Sequence, residues 1–260
     1  MKRKGTYLTA TALLVVILGI GTWSFVKGVS GQLWATSIRT ITESTHQGAM
    51  ALRLQLDTDF DMLEVIRDSL AETDMTDLEN ALNLVNIAER DVMVYHEDGS
   101  SLRPEVKLDQ MVQGYLHATE QEQGLLDAHI SSVTGENVFN IFLKANLEDG
   151  AEVYLVKEYH TQEVAKQFTL TFYDNTGFSC LVNRQGDIMV WPSHADGIKI
   201  VDSLFDIISP QENESRRLED FRQSIFHMET GWSRFSSDWK NLVLCYEPLR
   251  SDSHWLLVSV

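Results

Sequence analysis

Between Gln32 and Ala71 the apolar residues recur at steps of mostly three or four: Trp34, Ile38, Ile41, Ala49, Leu52, Leu56, Phe60, Leu63, Ile66 and Leu70. No proline interrupts the run. That spacing puts the apolar side chains on one stripe and predicts a long stalk helix over residues 30–72. The preceding segment is patterned differently. From Tyr7 to Val26 there is no charged residue, and a run of about 20 residues at 1.5 Å each crosses a hydrocarbon core of about 30 Å. It is longer than the apolar core of a cleaved signal peptide, and no small-x-small cleavage site follows it. A transmembrane helix is predicted over residues 7–27. Lys2, Arg3 and Lys4 place residues 1–6 in the cytoplasm by the positive-inside rule. The expected location is the cell membrane, with everything after Lys27 extracytoplasmic.

Beyond the stalk, period-two patterns and turn residues take over. Asp91–His96, the turn Glu97-Asp98-Gly99 and Ser100–Arg103 read as strand, turn, strand, closed by Pro104. Leu108–Asp127 reads as two helical pieces broken near Thr119–Gly124. Ala128–Val133, Asn137–Leu147 and Ala151–Tyr159 read as strands, and His160–Phe168 as a short helix. The order then returns. Gly177–Asn183, the turn Arg184-Gln185-Gly186 and Asp187–Trp191 form a hairpin closed by Pro192. Helical pieces follow at Ile200–Ile208 and Ser215–Met228, then strands at Gly231–Ser236, Asn241–Pro248 and His254–Val260. Two copies of one five-stranded antiparallel α+β module are inferred, over residues 73–168 and 169–260.

Charge excludes one class of function. The chain carries 38 acidic and 21 basic residues, a formal net charge of −17, and four of those cations (Lys2, Arg3, Lys4, Lys27) flank the apolar run. So acidic a surface repels nucleic acid. The two cysteines, Cys180 and Cys245, are too few for a disulfide scaffold; they read either as one bridge or as two buried strand residues.

No motif with a catalytic mechanism is present: no G-x-S-x-G, no H-E-x-x-H, no CxxC and no phosphate-binding glycine loop. The histidines lack metal-ligand spacing, so no metal or cofactor is expected. Asp57-Thr58-Asp59-Phe60-Asp61 mimics the start of a calcium loop, but Met62 stands where glycine is needed and Asp68 where the closing glutamate belongs. The stretch reads as the solvated face of the stalk. Trp191, Trp232, Trp239 and Trp255 read as core or interface. The Asn213-Glu214-Ser215 sequon reads as a chance match on a loop.

The long helix after the anchor, the segment GFSCLVNRQGDIMVWPSH (Gly177–His194) and the closing hairpin LVLCYEPLRSDSHWLLVSV (Leu242–Val260) together resemble the double Cache family. These are tandem PAS-like extracytoplasmic sensor domains of bacterial receptors. The resemblance covers nearly everything after the anchor. It implies a strand order in which the first strand of a module lies beside the second and the fifth, so that the fifth separates Cys180 from Cys245 and both are free. It also implies a small-molecule ligand held by the membrane-distal module, between its sheet and the covering helices and loops. Those elements supply Tyr115 as an aromatic wall, Asp127 as partner for an ammonium group, and His129 and Asn140 as hydrogen-bonding groups. The family's amino-acid signature, an arginine, a Trp-Tyr pair and a downstream aspartate, has no match here.

The function implied is sensing for a transmembrane receptor with a histidine kinase, cyclic-di-GMP or chemotaxis output beyond residue 260, and no enzymatic activity within the chain itself. A homodimer through the stalk helix and lipid contact through Tyr7–Val26 go with it. The alternative is a single-pass protein whose modules bind a partner protein and regulate a separate receptor. A third reading, an anchored hydrolase, requires a cleft where several titratable groups meet.

Overall fold

The computed structural model describes residues 2–84, 87, 91–101, 109–168, 177–192, 201–208, 213–237, 240–250 and 254–260; of residues 2–17, 84, 168, 237 and 240 it describes the backbone alone. The chain forms two compact units, Met1–Glu43 and Ser44–Val260. One helix, α1, runs over Lys2–Leu70, so the two helices expected over residues 7–27 and 30–72 are continuous. Within the first unit Leu18, Ile20, Trp23, Phe25 and Val26 are exposed. Among the described residues no helix is long and apolar enough to cross a membrane. The side chains of residues 7–17, which the expected span includes, lie outside those described.

In the second unit α1 meets its first sheet through one stripe. Ala49, Leu52, Leu56, Phe60, Leu63, Ile66 and Leu70 are all buried in a core with strand residues Phe139, Ile141, Leu143, Val153 and Leu155. A short helix, α2 (Leu78–Leu84), adds Leu78 and Leu82; the sequence pattern had not marked it. The first sheet holds β1 (Val92–His96), β2 (Gln123–Ile130), β3 (Asn137–Asn146) and β4 (Glu152–His160), in the antiparallel order β1-β4-β3-β2. Helix α3 (Gln110–Ala118) precedes β2, and α4 (Thr161–Phe168) follows β4. Both faces of β3 are buried. Phe139, Ile141, Leu143 and Ala145 face the α1 core; Phe142 joins Tyr95, Leu126, Tyr154, Val156 and the α3 residues Val112 and Leu116 on the other side.

The second sheet holds β5 (Ser179–Asn183), β6 (Ile188–Val190), β7 (Gly231–Ser237), β8 (Lys240–Pro248) and β9 (Trp255–Ser259), in the order β6-β5-β9-β8-β7. A short 3-10 helix at Leu204–Ile207 and α5 (Ser215–Phe226) cover one face. Phe205, Phe221 and Ile225 pack there on Cys180, Val182, Leu244, Leu256 and Val258. Leu181, Trp255 and Leu257 point the other way, into the core that holds α1.

The two sheets share one topology, with β1, β2, β3 and β4 in the places of β5, β7, β8 and β9. The glycines read as equivalent turns are equivalent: Gly99 (φ +76°) and Gly186 (φ +83°) both close tight turns in the left-handed region. The Gly99 N–H donates to the His96 carbonyl at 2.8 Å and the Gly186 N–H to that of Asn183 at 3.0 Å. The first sheet has four strands among the described residues, not five. Its expected extra strand, Ser100–Arg103, leaves a single antiparallel bridge between Tyr95 and Ser101, and residues 102–108, including Pro104, lie outside the described residues.

Other expectations need correction. Of the two helical pieces expected over Leu108–Asp127, the first is α3, which ends at Ala118 where the break is expected, and the second is replaced by β2 from Gln123; β2 ends at Ile130, short of the strand expected to Val133. The helical piece expected at Ile200–Ile208 is the 3-10 turn, with residue 200 outside the described residues. Asp59 is not on a solvated face. It is 6% exposed and accepts from Tyr159 Oη at 2.6 Å, Gln55 Nε2 at 2.8 Å and Lys157 Nζ at 3.0 Å. Of the tryptophans expected in core or interface, Trp255 is core and Trp232 is 49% exposed; the Trp191 ring lies 6.1 Å from that of Phe178, tilted by 30°, and Trp239 lies outside the described residues.

Candidate ligand-binding site

The site is built around β2 and α3. Asp109 starts α3: its carboxylate accepts from the backbone N–H of Met111 at 2.8 Å and of Val112 at 3.3 Å, an N-cap of the ordinary kind. Its other oxygen accepts from Ser132 N at 2.7 Å, tying α3 to the turn after β2. His129 Nε2 sits 3.3 Å from Asp109 Oδ1, at ion-pair distance but without hydrogen-bond geometry. Burial opposes the charge on Asp109, yet these backbone donors and His129 outweigh it and hold the carboxyl below the usual range.

Tyr115, on α3, sets its ring edge-on to Phe142 at 5.6 Å and its hydroxyl 3.3 Å from Gln121 Oε1. A cavity of about 570 Å³ opens beside it, lined by Tyr115, Asp127, His129, Leu126, Arg184 and Phe226 among others. A second hollow of about 380 Å³ shares Tyr115, Leu125 and His254 with it. Three of the four residues singled out from sequence therefore meet at one cavity.

Asn140, the fourth, lines neither hollow. On β3 it pairs with Leu126 of β2 and Glu158 of β4, on the sheet face that α3 covers. It is 0% exposed, and neither its amide oxygen nor its amide nitrogen has a hydrogen-bond partner. Tyr95, on the same face, is also fully buried. Its hydroxyl lies near the backbone of Asp109 without a hydrogen bond of good geometry, and burial pushes its pKa well up.

Asp127 is differently employed. The register of β2 on β3 shifts between Leu126 and His129, a bulge that re-aims the intervening residues. The Asp127 carboxylate accepts from Trp255 Nε1 at 2.6 Å and from Asn183 Nδ2 at 3.3 Å, so both its oxygens are bonded to the second sheet. Arg184, His254 and Phe226 were not singled out from sequence. They come from the second sheet's turns and from the end of α5, and only the packing of the two sheets brings them to β2.

Among the described residues no group of three His, Cys, Asp or Glu side chains is placed to hold a metal ion. Cys180 and Cys245 are buried and not disulfide-bonded. They lie on β5 and β8 with β9 between, the strand order that the resemblance implied, and burial pushes the Cys180 thiol up to about 12.

No protein-family model and no curated protein matches the chain. Solved structures do. The ligand-binding domain of the Pseudomonas aeruginosa amino acid chemoreceptor PctC, in complex with GABA, matches with a TM-score of 0.62 at 15% identity, over 85% of this chain and 97% of that one. The ligand-binding domain of the Pseudomonas fluorescens chemoreceptor CtaA, in complex with L-serine, matches with a TM-score of 0.61 at 17% identity, over 85% and 96%. The chain shares the fold of these ligand-binding domains, which are Cache-type sensor domains. A putative histidine kinase, rpHK1S-Z16, has an extracellular domain of the same kind: TM-score 0.58, 16% identity, 87% of this chain and 94% of that one. The same fold thus occurs in chemoreceptors and in a putative histidine kinase.

Proposed function

We propose that this chain is the extracytoplasmic ligand-sensing region of a bacterial transmembrane receptor, anchored by Tyr7–Val26 and binding a small molecule between β2, β3 and α3. Asn140 carries the reading. A wholly buried amide with both ends unpaired costs on the order of 1–3 kcal/mol per group, and a fold does not keep that cost at the centre of a sheet without return. A polar ligand, reached from the cavity of Tyr115 and His129, supplies the missing partners. Asn140, His129 and Tyr115 are its contacts; Asp127 acts through Trp255 and Asn183.

Binding is passed on by elements already joined. Asp127 links β2 to β5 and β9. The last strand is in turn bonded to the stalk: Thr45 Oγ1 donates to Ser259 Oγ at 2.8 Å, and Ser179 shares that hydroxyl at 2.8 Å. A ligand that favours one arrangement of β2 shifts this chain of contacts by no more than its differential affinity for the two arrangements. The stalk helix then carries the shift inward, in a homodimer, to a kinase, cyclic-di-GMP or chemotaxis output.

The test is a thermal-shift screen of the full chain in detergent against organic acids, amines, amino acids, sugars and purines. Ligand at 100 times its Kd adds about 2.7 kcal/mol, a shift of several degrees at this size. A saturable shift confined to one chemical class is expected. A folded protein that responds to none of them overturns the small-molecule reading and favours a protein partner.

A further inference from the structure

The cavity beside β2 holds a group that the proposed Asn140 site does not use. Arg184 sits in the turn between β5 and β6, and that turn is fixed. The Asn183 side-chain oxygen accepts from Gln185 N at 3.0 Å and Asp187 N at 2.9 Å, and the Gly186 carbonyl accepts from Leu204 N at 2.8 Å. Arg184 is half-buried, and its Nε is shut off from solvent with no hydrogen-bond partner.

The setting makes this unusual. Acidic residues outnumber basic ones 38 to 21, and other arginines of the second unit are engaged. Arg67, Arg217 and Arg250 pair with carboxylates, and Arg53 donates to the backbone carbonyl of Pro248 at 2.9 Å. No carboxylate among the described residues lies within ion-pair distance of Arg184. Asp127, which lines the cavity, and Asp109, beside His129, are committed elsewhere. Both oxygens of Asp127 accept hydrogen bonds from the second sheet, and Asp109 caps α3 and faces His129.

The rest of the wall mixes Tyr115, Leu125, Leu126, Met111 and Phe226 with the polar Asp127, His129, Gln185 and His254. Phe226 is exposed at the end of α5. A guanidinium forks onto a carboxylate with two parallel hydrogen bonds, and a cavity of about 570 Å³ is within the range that holds a small organic molecule. We propose that this cavity is a second binding site, adjoining the Asn140 site proposed above and sharing Tyr115 with it, formed jointly by the first sheet's edge and the second sheet's first turn, for a carboxylate carried on an aromatic or other apolar body. Arg184 takes the carboxylate; Tyr115 and Phe226 enclose the body. A ligand there touches both sheets at once, next to the Asp127–Trp255 bond.

The experiment titrates benzoate, and its neutral isostere benzamide, into the full chain in detergent, reading the melting temperature and titration heat. The expected result is a saturable stabilisation by benzoate and at least tenfold weaker binding of benzamide. The Arg184→Gln variant loses the benzoate response, while Asn140→Leu, which addresses the other site, keeps it. Should Arg184→Gln fail to fold, Phe226→Ala, at an exposed position, decides: benzoate binding weakens several-fold if the cavity is the site and is unchanged if it is not. Equal responses to benzoate and benzamide, an undiminished response in Arg184→Gln, or none in the wild type at tens of millimolar would each overturn the proposal. Loss of the benzoate response in Asn140→Leu would place benzoate in the Asn140 site and overturn the second site alone.

Discussion

The indole N–H of Trp255 donates to the Asp127 carboxylate at 2.6 Å, joining the last strand of the second sheet to the edge strand of the first. Trp255 is 1% exposed, so removing its acceptor strands a donor in the interior. Asp127→Ala is expected to cost about 1–3 kcal/mol and to lower the melting temperature by several degrees. Asp127→Asn, which keeps an acceptor, costs less. Thermal denaturation followed by tryptophan fluorescence separates the two.

Asp59 is a second lock, between α1 and β4. Removing it leaves the Lys157 ammonium and the Tyr159 hydroxyl without their partner, and Asp59→Ala is expected to cost about 3 kcal/mol, read as a lower denaturation midpoint.

Tyr159 also gives a pH dependence. Burial first, then the bond to Asp59 and its charge, raise the Tyr159 pKa far above its ordinary value, and burial raises that of Tyr95. The folded protein holds these protons more tightly than the unfolded chain. Their contribution is therefore complete below the unfolded tyrosine pKa of about 10 and is lost as pH rises beyond it. Melting temperatures between pH 8 and 11 are expected to fall steeply above pH 10, and less steeply in Tyr159→Phe.

The two copies of the turn glycine invite a contrast with a third. At Gly186 a Cβ would come within 2.3 Å of the Phe205 ring, while at Gly150, with nearly the same φ, it meets nothing within 4 Å. Gly150→Ala is expected to cost roughly 1–2 kcal/mol for the left-handed backbone alone. Gly186→Ala adds a clash in the core under the 3-10 helix and costs clearly more. Paired chemical denaturation curves test the ranking.

Most of the architecture is legible in the sequence, because it rests on local signals. The α1 stripe, the closing hairpins and the glycine turns are each encoded by spacing within one segment. The misreadings arise where tertiary context decides. Residues 119–127 mix polar and apolar positions without a clean period, and β2 forms there because β3 offers it a partner. Asp59 looks like a helix surface residue until β4 supplies Lys157 and Tyr159 from a hundred positions away. The candidate site divides in the same way. Tyr115, Asp127 and His129 were found because the covering elements of the first module were located. Arg184 belongs to the other sheet, and no spacing along the chain connects it to them.

The measurement that bears most directly on the sensing claim is calorimetric titration of the strongest stabilising compound from the screen into the wild-type chain and into Asn140→Leu. One-site binding in the wild type, weakened at least tenfold in a variant that folds as stably or more so, is the result expected of a ligand paired with the Asn140 amide. Equal affinity in both proteins, or no binding by any compound to a folded wild type, would contradict it.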